Sequence, residues 1–116
     1  MSTEVTKPYD AAAPQPTPTG NGIDVAVVAA EKLKALGFNQ IAEDIEDRIR
    51  LGERKYGTRL KAFNGRNAYM DAYQEALDGV NYAQQVQIEG LDNGELFEKS
   101  VEIAKYIFTK LNVHTN

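Results

Sequence analysis

Three carboxylates and a tyrosine recur at helical spacing in the middle of the chain. Asp71, Glu75, Asp78 and Tyr82 stand at positions i, i+4, i+7 and i+11, which places them along one line of a helix. Three like charges in register repel one another and cost stability in an isolated helix. The acidic stripe, Asp71 with Glu75 and Asp78, is therefore either simply solvated or holds a cation.

A basic segment precedes this helix. Residues 52–66 carry five basic side chains against one acid, and five minus one leaves a local charge of +4 in a chain of net charge −4. Such a segment is either a solvated loop or a phosphate-binding rim, to which the backbone N–H groups of residues 64–66 would contribute. The basic residues are Arg54, Lys55, Arg59, Lys61 and Arg66.

Further acids lie on the helix before the basic segment. Ile41, Ile45 and Ile49 set its apolar face, with Glu46 on one flank and Glu43 pointing nearly away. Oxygen ligands without His or Cys select Mg²⁺ or Mn²⁺, and Mg²⁺ shares its coordination sphere with substrate phosphates. Acids facing a basic loop therefore favour hydrolysis of a phosphoanhydride by metal-activated water.

Composition excludes several other functions. The chain has 116 residues, no cysteine and a single histidine, His114 near its end, which disfavours thiolate sites, His-ligated zinc and histidine catalysis. The negative net charge argues against general nucleic-acid binding. No apolar run is long enough for a membrane span, and no signal peptide is recognisable. We expect a soluble cytoplasmic protein.

The periodicity predicts an all-α, four-helix bundle-like unit and no strands. Asp24 and Asn39 are expected N-caps, Gly37 is an expected left-handed C-terminal residue, and Asp92 is expected to open a capping box. Short connections favour antiparallel neighbours. The predicted helices span 24–36, 39–55, 67–89 and 93–112.

The first 22 residues differ from the rest of the chain. They contain all four prolines among small and polar residues, a composition that predicts a disordered tail. Residues 23–116 then form the domain. Its first helix is apolar most of the way round, which indicates burial between helices or at a subunit interface. We expect a homo-oligomer, a dimer or higher.

The acids resemble the metal motif of the MazG-like, all-α nucleoside triphosphate pyrophosphatase superfamily. That motif is Glu-x-x-Glu on one helix and Glu-x-x-Asp on a later one. Here Glu43-x-x-Glu46 is followed after 28 residues by Glu75-x-x-Asp78, and then by Tyr82.

A second resemblance is to small phage-encoded proteins of the form DIxxRxxxGxxKYGxxL…NGRD…DAYQEALDxxxY. It covers about 45 residues. Asn67 stands where that form has Asp. The matching positions are Asp44, Arg48, Gly52, Lys55, Tyr56, Gly57, Leu60, Gly65, Arg66, Asp71, Glu75 and Asp78.

These resemblances imply a MazG-like fold and Mg²⁺-dependent cleavage of a nucleoside triphosphate to monophosphate and pyrophosphate, in the host cytoplasm if phage-encoded. Glu46, Glu75 and Asp78 would be catalytic, and with Glu43 they would hold the metal. The implied substrate-binding residues are Lys55, Tyr56, Arg59, Arg66, Asn81 and Tyr82.

Two other functions fit the same residues. If the metal site lacks a ligand, the protein would bind a nucleotide, or a cyclic-nucleotide immune signal, and sequester it without cleavage. Alternatively the chain is a helical interaction module. Its acids would then be a solvated face, and the strip of small residues would contact another helix. That strip is Ala72, Ala76, Gly79 and Ala83.

Overall fold

Four helices follow one another along the chain. The structure, a computed structural model, describes residues 9–18 and 22–114. Each predicted helix boundary lies within two residues of the observed one, so the all-α, four-helix prediction is confirmed. No helix in these ranges has the length and apolar character needed to cross a membrane. The helices are α1 (Val25–Ala35), α2 (Asn39–Tyr56), α3 (Ala68–Ile88) and α4 (Glu95–His114).

The helices pack in two pairs, α1 with α2 and α3 with α4. Residues 16–66 form one compact unit, and residues 67–114 form the other together with the described residues up to 15. Each unit is a helical hairpin with its own contacts. Residues 1–8 and 19–21 of the predicted disordered tail lie outside the described residues, and their disorder stays a prediction. Residues 9–15 of the same tail contact the second hairpin.

The first hairpin closes on small side chains. Ala26 and Ala30 of α1 and Ala42 of α2 are buried, whereas Ile41 is 51% exposed. The buried residue of α2 is thus the alanine beside the predicted isoleucine face. Alanine side chains let two helices approach closely, and the larger residues then lie beside the contact. Val28, on the apolar face of α1, is also exposed.

The turn between α1 and α2 contains the predicted glycine. Gly37 has a φ of 88°. Its N–H donates to the carbonyl of Lys34 (3.0 Å), and the N–H of Phe38 donates to the carbonyl of Leu33 (2.8 Å), a Schellman motif. The prediction for Asn39 is wrong, because this residue already lies inside α2 and the N-cap position, Phe38, makes no side-chain capping bond.

A short backbone pairing ties the start of α1 to the connection after α2. The Val25 N–H donates to Leu60 O (3.2 Å) and the Ala62 N–H donates to Ile23 O (2.7 Å). The backbones approach so closely that a Cβ at position 22 would lie 1.5 Å from Ala62 O. Gly22 is therefore required for this approach.

A polar side chain lies at the start of each helix of the second hairpin. The Asn67 side chain accepts a hydrogen bond from the Met70 N–H (3.1 Å). Asp92 accepts bonds from the N–H groups of Gly94 and Leu96 (2.8 and 3.2 Å), so it lies at the start of α4 as predicted. These backbone bonds lower the pKa of Asp92. The arrangement differs from the predicted capping box, because α4 begins at Glu95 itself and the Glu95 side chain pairs with Lys99 (3.1 Å). The buried apolar residues of this hairpin are Met70, Ala83 and Leu111.

Alanine substitution should change the stability of the protein in opposite directions at two glycines, one inside α2 and one at its end. Gly57, which ends the helix, has a φ of 80°, a conformation that costs an alanine about 1 kcal/mol. Gly52 lies inside the helix with open space around its Cβ position, so alanine there should stabilise the protein by roughly 0.5 kcal/mol. Urea unfolding of Gly57→Ala and Gly52→Ala measures both. Equal shifts of the same sign would contradict this assignment of the helix end.

Candidate functional site

The acids of α3 lie side by side on an accessible face. Glu75 and Asp78 are exposed, one turn apart, and neither makes an ion pair or hydrogen bond within the described ranges. Asp71, one turn earlier, is half-buried and accepts a hydrogen bond from Gln15 (2.7 Å). Tyr82 is 66% exposed. The acidic stripe predicted from spacing is therefore present on the helix.

A shallow open groove runs beside these acids between α3 and α4. Its volume is about 400 Å³, and Glu75 lies at its edge. The floor is formed by small residues of α3, and Ile103 and Ile107 of α4 line the other side. Ile103 is 58% exposed. Of the small-residue strip, Ala83 is buried in the hairpin, whereas Ala72, Ala76 and Gly79 line the groove.

The acids of α2 have different surroundings. Glu46 accepts a hydrogen bond from the Arg59 guanidinium (3.2 Å) and pairs with Arg50 at 3.8 Å. Arg50 also pairs with Asp47. Glu43 is exposed and makes no ion pair within the described residues. One predicted ligand of α2 is therefore engaged by arginine, and the other lies open to solvent.

Arg59 belongs to a network that the sequence did not reveal. Its Nε and terminal nitrogen reach the two oxygens of Asp24 at 2.6 and 3.3 Å, and Lys61 approaches the same carboxylate at 3.5 Å. Asp24 also caps α1 by accepting from the Val27 N–H (3.3 Å). This ion-pair clasp, Asp24 with Arg59, Lys61 and Glu46, joins α1, α2 and the connection after α2.

The clasp has a direct electrostatic consequence. The hydrogen-bonded Arg59 guanidinium lowers the pKa of Asp24 from 3.8 to about 2, with a smaller contribution from the Val27 N–H. The hydrogen bonds that Arg59 donates to the same carboxylate and to Glu46 raise the pKa of Arg59. An arginine held by two carboxylates is neutralised, so it is a poor candidate for binding substrate phosphate.

The remaining basic segment is partly committed to the fold. The Arg66 N–H donates to Asn64 Oδ1 (3.0 Å), so this amide is not open to a phosphate. The Arg66 guanidinium donates to Pro16 O (2.9 Å). Lys55 stands over the ring of Tyr56 at 5.3 Å, and both side chains are exposed. The substrate contacts proposed for these residues stay predictions.

The other implied ligands of the substrate lie on α3. Asn81 and Tyr82 are both exposed and follow Asp78 on the next turn. Within the described part of the chain, no three acidic or histidine side chains are grouped as metal ligands. What α3 offers is therefore a pair of free carboxylates, Glu75 and Asp78, rather than a complete protein cage.

Comparison with known proteins identifies no relative: no protein-family model, no curated protein and no solved structure matches this chain. The resemblance to the MazG-like superfamily therefore stays a prediction based on the acids and their spacing.

The clasp predicts a specific dependence of stability on pH. Because the folded pKa of Asp24, about 2, lies below its ordinary value of 3.8, its ionised form stabilises the fold above about pH 4, and this contribution is lost as pH falls toward 2. Asp24→Asn keeps a capping side chain but removes the charge. The variant should be less stable than wild type above pH 4, with the difference shrinking between pH 4 and 2 in urea unfolding.

Arg59→Gln provides the matched control. In that background, Asp24→Asn should add much less destabilisation, because the main partner of Asp24 is already gone and only Lys61 at 3.5 Å remains. A wild-type advantage over Asp24→Asn that is unchanged from pH 6 to pH 2 would contradict the assignment of the clasp.

Proposed function

We propose that this chain is a Mg²⁺-dependent nucleotide pyrophosphohydrolase whose cation site is built on Glu75 and Asp78 of α3. The observation that supports the proposal is that these two carboxylates are exposed, one turn apart and unpaired within the described residues. Like charges at this spacing cost stability, and a bound divalent cation would offset that cost.

The donor chemistry fits Mg²⁺ or Mn²⁺. Both groups offer hard oxygen ligands, and Mg²⁺ commonly uses one or two carboxylates while water and substrate phosphates fill its other positions. When bound, such a cation lowers the pKa of a coordinated water and neutralises charge on the phosphates. Glu75 and Asp78 would hold the cation, and the exposed Asn81 and Tyr82 would contact the sugar or base of the nucleotide.

Charge-removing substitutions test this proposal. Glu75→Gln and Asp78→Asn should each lower the rate of monophosphate formation by about a hundredfold or more, because one of only two ligands is lost. Glu102→Gln removes an acid from α4 that already pairs with Lys105 (3.4 Å), and should leave the rate unchanged. Products are followed by chromatography over a nucleotide panel with and without Mg²⁺. Full turnover in Asp78→Asn would contradict the proposal.

A second candidate function is nucleotide binding without cleavage. It is favoured by the engagement of Glu46, which two arginines hold at 3.2 and 3.8 Å. A cation held only by Glu75 and Asp78 would lack an additional carboxylate to orient the attacking water. The protein would then sequester a nucleotide or a cyclic dinucleotide signal intact.

Melting temperatures and product analysis together distinguish the two candidates. A binder should show a ligand-dependent rise in melting temperature, persistence of that rise in chelator and full recovery of the nucleotide. A hydrolase should release monophosphate only when Mg²⁺ is present. A panel that raises no melting temperature and yields no product would remove both candidates and favour a helical interaction module.

Self-association is a further part of the proposal. Several large apolar side chains are more than half exposed, including Ile103 at 58% and Leu36 at 69%, and an open groove of about 360 Å³ lies against the apolar face of α1. Open apolar grooves on a protein surface commonly mark sites of association. The proposed homo-oligomer requires a mass above 12.8 kDa in light scattering, and a monomer would contradict it.

A further inference from the structure

An aromatic side chain from the N-terminal segment packs against the second hairpin. The Tyr9 ring stands edge-on to Tyr73 of α3, with centroids 5.7 Å apart and planes at 78°. It meets Phe108 of α4 at 6.3 Å and 82°. Tyr73 and Phe108 are themselves 6.3 Å apart. Edge-to-face aromatic pairs of this kind are favourable beyond the area that they bury. Burial and a hydrogen bond with Tyr73 also raise the pKa of Tyr9.

Polar contacts continue from this aromatic cluster toward the start of α3. Gln74 donates to the carbonyl of Ala11 (2.6 Å). The Gln15 carboxamide accepts from the Asn67 N–H (2.6 Å) and donates to the Asn67 carbonyl (3.1 Å). The same amide donates to Asp71 Oδ1 (2.7 Å). Gln15 thus satisfies backbone groups at the N-terminus of α3.

The order of these contacts defines a direction. Residues 9 and 11 of the segment contact residues 73 and 74, and residue 15 contacts residues 67 and 71, so the segment passes from the second turn of α3 toward the start of that helix. Its last contact is with Asp71, the first acid of the stripe. Glu75 follows one turn later. The segment therefore covers the N-terminal end of the acidic stripe and leaves Glu75 and Asp78 exposed.

The segment also has local order of its own. The side chain of Asp10 accepts from the Ala12 N–H (2.9 Å), and the carbonyl of Asp10 accepts from the Ala13 N–H (3.2 Å), which forms an Asx turn. Pro14 fixes one backbone angle next to Gln15. Both features reduce the entropy that the segment loses on docking.

We propose that the Tyr73–Phe108 slot of the α3–α4 hairpin is a peptide-docking site, and that its occupant is the chain's own segment 9–15. The docked segment closes the N-terminal end of the acidic stripe by holding Asp71 through Gln15 (2.7 Å), and so keeps this third carboxylate from a cation bound at Glu75 and Asp78. This closure rests on the proposed function, whereas the docking does not.

Hydrogen exchange in the full chain tests the docking. Tyr9→Ala removes both aromatic contacts, so amide exchange in residues 9–15 and in the first turns of α3 should become about tenfold faster. Tyr9→Phe keeps the ring and removes only the hydroxyl, so it should retain most of the wild-type protection. Equal amide-exchange rates in these residues of wild type and Tyr9→Ala would overturn the docking proposal.

Turnover measured at a limiting concentration of Mg²⁺–nucleoside triphosphate tests the closure. Tyr9→Ala and Gln15→Ala should release pyrophosphate several-fold faster than wild type and Tyr9→Phe. If the protein does turn over the nucleotide, and Tyr9→Ala loses amide protection without a change in the rate of pyrophosphate release, the closure is overturned. Loss of protection in Tyr9→Ala with no turnover in any variant would support the docking and overturn the hydrolase function together with the closure.

Discussion

The helix contacts of this protein fully bury few large side chains, and much else follows from that constraint. The first hairpin buries Ala26, Ala30 and Ala42, and the second buries Ala83 beside two larger residues, Met70 and Leu111. An alanine methyl removes far less apolar surface from water than a leucine or phenylalanine side chain, so each helix contact contributes little hydrophobic free energy. Many other large apolar residues stay partly exposed, and Val28, Ile103 and Ile107 line open grooves. Ion pairs, hydrogen bonds and further apolar contacts must therefore supply part of the free energy that stabilises the fold.

The clasp is the polar tie of the first hairpin, and it changes the functional interpretation of that region. Arg59 and Glu46 were both expected to serve a nucleotide site, as a phosphate ligand and a metal ligand. Their mutual contact at 3.2 Å, with Asp24 on the other side of Arg59, gives them a structural role in this arrangement. A charge pair that is largely shielded from solvent is costly to separate, because each partner would be left without compensation. If Glu46 were to bind a metal ion, its ion pair with Arg59 would first have to separate, and this separation costs free energy.

Helix α3 combines two roles on different sides. Its inward residues pack against α4, and its outward line carries Glu75 and Asp78 without partners in the described part of the chain. The N-terminal segment wraps the beginning of the same helix through Tyr73, Gln74 and Asp71. The position of the free acids, beside a groove and next to a docked segment, is what makes α3 the centre of the functional proposals.

Local chemistry made most of the fold predictable from the sequence. Helix periodicity, the left-handed Gly37 and the polar residues Asp24 and Asp92 at helix starts act over a few neighbouring positions, and their signals are therefore present in any short window of the chain. The accessible acidic stripe was predictable for the same reason, since residues three and four apart share a face. Asn39 was mispredicted because Phe38 already occupies the N-cap position once the Schellman turn is made.

Tertiary structure decided which charges remain available. Asp24 and Arg59 are 35 residues apart, and Gln15 and Asp71 are 56 apart, so no local pattern announces either contact. Ion pairs at such distances depend on where folding places the backbones, whereas a helical stripe depends only on the repeat of the helix. The sequence by itself therefore determined four helices and a line of acids on the third. Only the tertiary contacts decided that Glu46 is engaged, that Glu75 and Asp78 have no partner among the described residues, and that a segment from the N-terminal region holds Asp71.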